Sequence, residues 1–276
     1  MQIYGPLRLA RALRRRVLRL TPFLEAKIRY DAFERPQFAY GIYQAARQAK
    51  ALGYKAFSAI EFGVAGGNGL VAMERIADEI GRAFDLKIEV YGFDTGQGMP
   101  PPADYRDAPF IWQVGQFRMD VPTLVDRLKS ATLVIADVED GVRHFLSQAN
   151  FAPIGFISFD MDYYSSTVKA LSLCEAGHEA FLPRSLLYFD DIVGDDSELH
   201  CEFIGELLAI REFNAAHDMM KIAAIHGLGS KRLIPDHWHV KTHVLHRFEH
   251  PRYCDFAGEK ADWQMPLVQR RRWRPA

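Results

Sequence analysis

The segment FISFDMD, residues 156–162, gives the strongest indication of the fold in this sequence. A short apolar run ends there in two aspartates, and the segment LLYFDD, residues 186–191, repeats the pattern. Such runs are typical of strands buried in a parallel sheet, and the carboxyl ends of these strands face the ligand crevice of open α/β folds. Four carboxylates meeting there would repel one another unless a cation or a shared proton neutralised them. The pattern therefore favours a divalent metal site.

The length and composition of the chain are those of a folded globular protein. It has 276 residues, of which 49% are hydrophobic and 25% are charged, and this size suits one large α/β domain. The formal net charge of -1 argues against a surface that attracts nucleic acid as a whole. Three cysteines without a CxxC pattern suit a reducing, cytoplasmic location, and no apolar run approaches the roughly 20 residues of a membrane-spanning helix.

Both ends of the chain are basic. Residues 8–19 contain six arginines and no acid, and the segment from Leu7 to Leu20 has apolar residues at helical spacing, so we predict a basic amphipathic helix. Its apolar stripe could lie on an anionic membrane, dock on the body of the protein, or form a homo-oligomer with a second copy. We treat residues 1–35 as this helical extension and residues 36–276 as the main domain.

Helix-like and strand-like segments alternate along the main domain. We predict helices over residues 36–52, 70–84, 121–128, 140–148, 166–180 and 198–216. We predict strands over residues 57–62, 87–93, 131–136, 156–159 and 186–189, with further strand-like segments over residues 221–225, 231–235 and 238–248. This alternation predicts a doubly wound, mainly parallel sheet that ends in an antiparallel hairpin.

A glycine-rich segment, EFGVAGGNG at residues 61–69, lies between the first predicted strand and a helix. Its glycines allow positive φ and close approach of a ligand, at the place where doubly wound folds hold nucleotides. Asp94 ends the second strand, where a carboxylate can accept hydrogen bonds from ribose hydroxyls or stabilise a turn. The glycine spacing does not match the nicotinamide dinucleotide fingerprint. Glu61 lies inside a strand and needs a partner, for which the ammonium group of an amino acid is suited.

With these segments the chain resembles the class I S-adenosylmethionine-dependent methyltransferases. Within them it is most similar to the macrocin O-methyltransferase family, metal-dependent enzymes that methylate sugar hydroxyls. The resemblance rests on residues 61–69, 94–100, 160–167 and 190–191. It implies a Rossmann-like fold with a seven-stranded sheet, S-adenosyl-L-methionine and Mg²⁺ as cofactors, and a hydroxyl of a sugar, glycoside or polyol-like small molecule as the acceptor. Nucleic acid is not an expected partner.

The resemblance also implies a role for each matching residue. The cofactor would be held by Glu61, Gly63, Val64, Ala65 and Gly66 at its methionine end, by Asp94 at the ribose, and by Asp137 and Val138 near adenine. The metal ligands would be Asp160, Asp190 and Asp191, and the general base would be Asp162. Met161 and Ser165 depart from the family pattern, which has glycine and glutamate there. Residues 94–100 depart as well, because they are DTGQGMP where relatives commonly have DSFEGLP.

Other interpretations of these residues remain open. The aspartates could cap helices and turns, and the acceptor could be a catechol or another phenol. The spelling DMD at residues 160–162 also matches the DxD motif of metal-dependent glycosyltransferases and resembles a phosphatase motif, although neither explains Glu61 and its loop. A non-enzymatic interaction protein is a further alternative, indicated only by the basic ends.

Three histidines, His237, His239 and His243, recur at alternate positions of the predicted C-terminal strand. They could form a second metal site. Because Lys241 lies among them, we favour an ordinary polar strand face.

Overall fold

The computed structural model describes residues 16–17, 20–148, 150–232 and 235–258. Most of the basic helix predicted from Leu7 to Leu20 lies outside these residues, as does the arginine-rich C-terminal segment. The division at residue 35 into an extension and a main domain therefore stays a prediction. None of the helices in the described ranges is long and apolar enough to cross a membrane.

Helices and strands alternate in the predicted order. The helices are α1 (Leu24–Arg29), α2 (Pro36–Ala51), α3 (Asn68–Phe84), α4 (Val121–Arg127), α5 (Val138–Ser147), α6 (Tyr164–Leu171), α7 (Gly205–Ala216) and α8 (Trp238–Lys241). The strands are β1 (Ala56–Phe62), β2 (Lys87–Asp94), β3 (Thr132–Ile135), β4 (Ile154–Phe159), β5 (Phe181–Phe189), β6 (Met220–Ala224) and β7 (Thr242–Arg247). Two helices, α1 and α8, were not predicted, and α8 occupies the first part of the strand predicted over residues 238–248. A 3-10 turn, Gly229–Lys231, stands at the start of the strand predicted over residues 231–235.

The seven strands of the described residues form one sheet in the order β3-β2-β1-β4-β5-β7-β6. Strands β1 to β5 are parallel, whereas β7 runs antiparallel to both of its neighbours, β5 and β6. The predicted mainly parallel, seven-stranded sheet with a C-terminal antiparallel hairpin is confirmed. The strand order reverses between β1 and β4, and in doubly wound folds this point opens a ligand crevice at the carboxyl edge of the sheet.

The strands send alternate side chains into two apolar layers, one on each face of the sheet. Ala59 of β1 faces the layer that contains α2 and α3, and its neighbour Ile60 faces the layer that contains α5, α6 and α7. At the carboxyl edge, the Phe159 ring stacks between those of Phe62 and Phe189, at centroid distances of 5.7 and 4.7 Å. This packing holds the ends of β1, β4 and β5 in one rigid unit.

Two predicted helices are shorter in the structure. The helix predicted over residues 166–180 ends at Leu171, and two 3-10 turns lead into β5, which begins five residues before its predicted start. Pro183 argues against a strand in the first half of β5, because proline cannot donate a hydrogen bond to a β-ladder. In the structure it lies where the register between β4 and β5 shifts, and a ladder hydrogen bond is not needed there. The helix predicted over residues 198–216 begins only at Gly205. The φ of Gly205 is +57°, so the helix cannot continue regularly toward the preceding residues.

The C-terminal histidines do not share a strand face, and that prediction is wrong. His237 and His239 lie at the start of and within the short helix α8, and only His243 lies in β7. The Thr242 hydroxyl donates a hydrogen bond to the Trp238 carbonyl at 2.8 Å, which closes this helical turn before the strand begins.

Phe159→Ala should lower the free energy of unfolding by about 3–5 kcal/mol, because it removes a fully buried ring that packs between two neighbouring strands. Phe110→Ala is the matched control, since Phe110 is 62% exposed and its truncation should change the free energy by no more than about 0.5 kcal/mol. Urea unfolding followed by circular dichroism measures both variants. Equal losses would contradict the role of Phe159 in anchoring the carboxyl edge.

Candidate active site

Three aspartates form one acidic cluster at the carboxyl edge of the sheet. Asp160 follows β4, whereas Asp190 and Asp191 follow β5. Phe159 pairs with Phe189 across these parallel strands, so the next residues of both strands leave the sheet side by side. One carboxylate oxygen of each aspartate lies within 4.8 Å of the other two. Three hard oxygen donors at this separation fit a divalent cation such as Mg²⁺.

This acidic cluster carries a strong electrostatic penalty. Burial first, and then the charges of Asp191 and Asp190, raise the pKa of Asp160 well above its ordinary value. Burial and the charge of Asp190 raise the pKa of Asp191 to about 6. A divalent cation would remove the penalty, because it favours the ionised carboxylates. In the part of the chain that the structure describes, no other group of three or more metal-binding side chains comes together, and the C-terminal histidines form none.

Asp162, the predicted base, lies directly beside the acidic cluster. Its backbone N–H donates to Asp191 Oδ2 at 2.8 Å, and its φ of +61° turns the chain sharply after β4. Positive φ is uncommon for a residue other than glycine and recurs at functional sites. Burial, followed by the charge of Asp191, raises the pKa of the Asp162 carboxyl to about 9. The structure therefore brings Asp162 into contact with one predicted metal ligand while leaving it outside the cluster.

Two side chains that the sequence analysis missed hold Asp190 in place. Tyr188 is near the end of β5, and its hydroxyl donates a hydrogen bond to Asp190 Oδ1 at 2.6 Å. Lys241 Nζ donates to the Asp190 carbonyl oxygen and lies 3.3 Å from Asp190 Oδ1. The alternation of side chains along β5 could have revealed Tyr188, which precedes Asp190 by two residues. Lys241 belongs to α8, and its buried ammonium group offsets part of the negative charge of the acidic cluster.

Glu206 is a further carboxylate beside the acidic cluster, and nothing in the sequence pattern indicated it. It lies in the first turn of α7 with no exposed surface, and its Oε2 accepts a hydrogen bond from the Asp191 backbone N–H at 2.9 Å. Its Oε1 has no hydrogen-bond partner among the described residues. Burial, and then the charge of Asp191, raises the pKa of Glu206 well above its ordinary value. A protonated Glu206 can orient the Asp191 backbone without adding a further negative charge.

The glycine loop packs against the acidic end of β4. Gly63 has a φ of +82°, and a Cβ added there would lie 1.7 Å from the Asp160 carbonyl oxygen. Only glycine fits at position 63, because this clash is with backbone. A Cβ at Gly69 would lie 1.9 Å from Glu61 Oε1, so that carboxylate would have to shift. Gly66 differs, because nothing lies within 4 Å of the place that its Cβ would take. The two halves of the predicted site are therefore in direct contact through Gly63.

Asp94 ties the glycine loop to the end of β2. Its Oδ2 accepts hydrogen bonds from the backbone N–H groups of Val64 and Ala65, each at 2.9 Å. Its Oδ1 accepts one from the Gly96 N–H at 2.6 Å. Asp94 thus stabilises the turn, one of the two roles considered for it. A carboxylate has about four lone-pair sites, so room for a further donor such as a ribose hydroxyl remains.

Asp137 and Val138 lie at the end of β3, beside β2. The Ala136 N–H donates to the Asp94 carbonyl oxygen at 3.0 Å, which makes the two strand ends neighbours. The Asp137 carboxylate caps α5 by accepting a hydrogen bond from the Glu139 N–H at 3.0 Å, and Val138 is the first residue of that helix. The structure brings both residues to the edge of the crevice and gives Asp137 a capping role as well.

Glu61 is a buried acid with an unsatisfied oxygen. It is 2% exposed, and its Oε2 forms no hydrogen bond with any described residue. Burial has the largest effect on the Glu61 pKa and raises it to about 8, Arg35 opposes this rise, and the charges of Asp94 and Asp190 add to it. A buried carboxylate of this kind fits the ammonium group that the sequence analysis assigned to it.

A long loop between β2 and α4, residues 95–120, is fastened to the start of α6. The Asp107 carboxylate accepts hydrogen bonds from the Ser165 N–H at 2.7 Å and from the Ser165 hydroxyl at 2.8 Å. The Arg106 guanidinium lies over the Tyr164 ring, 4.5 Å from its centroid. A glutamate at position 165, as in the family pattern, would bring a second carboxylate against Asp107. Ser165 therefore anchors this loop through its two hydrogen bonds to Asp107.

The Rossmann-like architecture, with its mainly parallel seven-stranded sheet, confirms the predicted fold class and is shared with solved methyltransferase structures. The calicheamicin methyltransferase CalS11 has a similar structure, with 20% sequence identity, 76% of this chain and 78% of that one covered, and a TM-score of 0.51. The O-methyltransferase NovP is 15% identical, with 77% of this chain and 80% of that one covered, and also has a TM-score of 0.51. No protein-family model and no curated protein sequence matches the chain. At these identities the likeness establishes the fold, and membership of the macrocin O-methyltransferase family stays a prediction.

The metal-free protein should lose stability as the pH rises from about 5 to about 9. An acid whose pKa is raised on folding stabilises the protein fully below its unfolded pKa, and this contribution is lost as the pH passes its folded value. For Asp191 and Asp162 the folded values are about 6 and about 9, against an ordinary value of 3.8. Thermal unfolding in EDTA across this pH range measures the loss, and Mg²⁺ should reduce it.

Asp162→Asn should flatten this pH profile, because the amide does not ionise. Asp195→Asn is the control, since Asp195 lies exposed in the loop beyond β5 and should leave the profile unchanged. A melting temperature in EDTA that stays constant or rises between pH 5 and pH 9 would contradict the electrostatic description of the acidic cluster.

Proposed function

We propose that this protein is an S-adenosyl-L-methionine-dependent O-methyltransferase. Its acceptor would be a hydroxyl of a sugar, glycoside or polyol-like small molecule, and its chemistry would depend on Mg²⁺. One observation carries the proposal: at one edge of the sheet, a glycine loop that follows a buried, unsatisfied Glu61 packs against the first of three aspartates whose carboxylates lie 4.8 Å or less apart. The fold is compatible with it, because CalS11 and NovP are described as a methyltransferase and an O-methyltransferase.

The cofactor would lie along the carboxyl ends of β1, β2 and β3. Glu61 would bind the ammonium group, and Gly63, Val64, Ala65 and Gly66 would line the methionine end. Asp94 would accept hydrogen bonds from the ribose, and Asp137 and Val138 would lie near adenine. Gly66 supports this assignment, since nothing lies within 4 Å of the place that its Cβ would take, which leaves the main chain of the loop open to a ligand there.

Asp160, Asp190 and Asp191 would hold the metal ion. A divalent ion bound there would supply a Lewis acid that lowers the pKa of an acceptor hydroxyl. Asp162 would accept the hydroxyl proton, directly or through one water, because it adjoins Asp191 without belonging to the acidic cluster. The acceptor oxygen would then form a bond to the methyl carbon as the carbon–sulfur bond of the cofactor breaks. The remaining task of the protein is to align the two substrates.

Calorimetric titration separates this proposal from its competitors. We expect the protein to bind S-adenosylmethionine and not UDP-sugars. Binding of UDP-sugar without S-adenosylmethionine would instead support a DxD glycosyltransferase, and binding of neither would support an interaction protein. Turnover assays with glycosides and with catechols then distinguish the acceptor classes. Full activity of the wild type in EDTA would rule out the metal-dependent chemistry.

Asp160→Ala and Asp191→Ala should each lower metal-dependent turnover by at least about a hundredfold, because each removes a ligand of the ion that activates the acceptor. Both variants should bind S-adenosylmethionine almost as well as the wild type, since neither residue belongs to the proposed cofactor site. Asp195→Ala is the matched control, because it removes an exposed carboxylate four residues beyond Asp191. Turnover assays and calorimetry report the two effects separately, and unchanged turnover in the first two variants would exclude them as metal ligands.

A further inference from the structure

Arg35 is a cation at the carboxyl edge of the sheet that forms no ion pair with any described residue. It is half-buried and immediately precedes α2. Its guanidinium lies 5.9 Å from the centroid of the Phe38 ring, and that ring packs edge-on against Tyr188. Because the Tyr188 hydroxyl donates to Asp190, this chain of contacts places Arg35 on the side of the crevice that adjoins the acidic cluster.

Arg35 acts on the charge of Glu61, although the two side chains form no ion pair. Among the charged groups that act on the Glu61 carboxylate, Arg35 has the largest effect, and it lowers the pKa of Glu61 against the opposing effect of burial. No ion pair joins the two side chains, and Glu61 Oε2 remains without a hydrogen-bond partner among the described residues. A buried acid with an unsatisfied oxygen and a nearby cation that is not paired with it are suited to a ligand that carries both charges.

The N-terminus of α2 strengthens this arrangement. The helix has 16 residues, no side chain caps its first turn, and that turn contains no acidic residue. Pro36 occupies the first helical position, where its missing N–H costs nothing. The free N–H groups and the positive end of the helix dipole therefore favour an anion beside Arg35.

We propose that Arg35 binds the α-carboxylate of the cofactor, so that Arg35 and Glu61 together recognise both charges of its amino-acid end. This inference rests on the proposed function, because it concerns the same cofactor. An α-amino acid presents an ammonium and a carboxylate on one carbon, and only a site with one negative and one positive group in the matching order satisfies both. Arginine suits the task, since its planar guanidinium can donate two parallel hydrogen bonds to a carboxylate.

A consequence of this assignment is selectivity for the complete amino-acid end. Decarboxylated S-adenosylmethionine keeps the ammonium group and lacks the carboxylate, so it can use Glu61 but not Arg35. 5′-Methylthioadenosine lacks both groups and can use neither residue. The wild type should therefore bind S-adenosylhomocysteine most tightly, decarboxylated S-adenosylmethionine less tightly, and 5′-methylthioadenosine least tightly.

Calorimetry with these three ligands on Arg35→Met tests the proposal. The substitution should weaken binding of S-adenosylhomocysteine by about tenfold to a hundredfold, which is the range for loss of a charge-assisted hydrogen bond. Binding of decarboxylated S-adenosylmethionine and of 5′-methylthioadenosine should change by less than about twofold, because neither ligand has a carboxylate for Arg35 to bind. Arg35→Lys should recover part of the loss for S-adenosylhomocysteine.

Two further variants act as controls. Arg82→Met removes a positive charge from an exposed position on α3 and should alter none of the three affinities. Glu61→Gln should weaken S-adenosylhomocysteine and decarboxylated S-adenosylmethionine alike and spare 5′-methylthioadenosine. Circular dichroism checks the fold of each variant, and Arg35→Lys carries the test if Arg35→Met does not fold.

Equal weakening of S-adenosylhomocysteine and decarboxylated S-adenosylmethionine in Arg35→Met, or in Arg35→Lys if that variant carries the test, would overturn the assignment and show that Arg35 acts only on the local fold. Unchanged binding of S-adenosylhomocysteine in Arg35→Met would overturn it as well. If the wild type binds none of the three ligands, the proposed function fails together with this inference. That result is distinguishable from the others, because it appears before any substitution is made.

Discussion

Repulsion among carboxylates at one edge of the sheet is the constraint on which the candidate site depends. Asp160, Asp190 and Asp191 cannot move apart, because the strands that precede them are paired through Phe159 and Phe189. Stacked aromatic rings hold those strand ends rigidly, so the packing energy of the core keeps like charges close together. A fold that keeps these carboxylates close together is suited to bind a divalent cation, because the cation's positive charge removes the repulsion between them.

The environment of the acidic cluster moderates the repulsion without abolishing it. Lys241 adds a positive charge beside Asp190, and Glu206 supports the Asp191 backbone in a setting that favours its neutral form. The glycine loop lies directly beside the acidic cluster, since Gly63 lies against the Asp160 carbonyl and Asp94 binds the backbone N–H groups of the two residues that follow. The predicted metal ligands and the predicted cofactor-binding residues are therefore parts of one packed unit.

Much of the fold was predictable because it depends on local patterns. Apolar runs predicted β1 and β4 correctly, and the glycine-rich segment at residues 61–69 predicted the turn between β1 and α3. The errors arose where distant packing overrides local preference. Pro183 lies inside β5 because a shift of register tolerates it, and a helical turn, α8, replaces the first part of the predicted C-terminal strand. Met161, a departure from the family pattern, became intelligible only as a buried member of an apolar layer.

Local sequence was sufficient to predict the doubly wound order of elements and the positions of Asp160, Asp162, Asp190 and Asp191 at strand ends. These are local properties, because strand length and the residue that follows a strand can be read from neighbouring letters. Which distant side chains surround these aspartates depends on the packing of the folded chain. Glu206 and Lys241 come from elements far apart in the chain, and their approach depends on how helices and the antiparallel strand pack against the sheet. The positions of the aspartates could thus be predicted from the sequence. The charged side chains around them could be identified only from the folded structure.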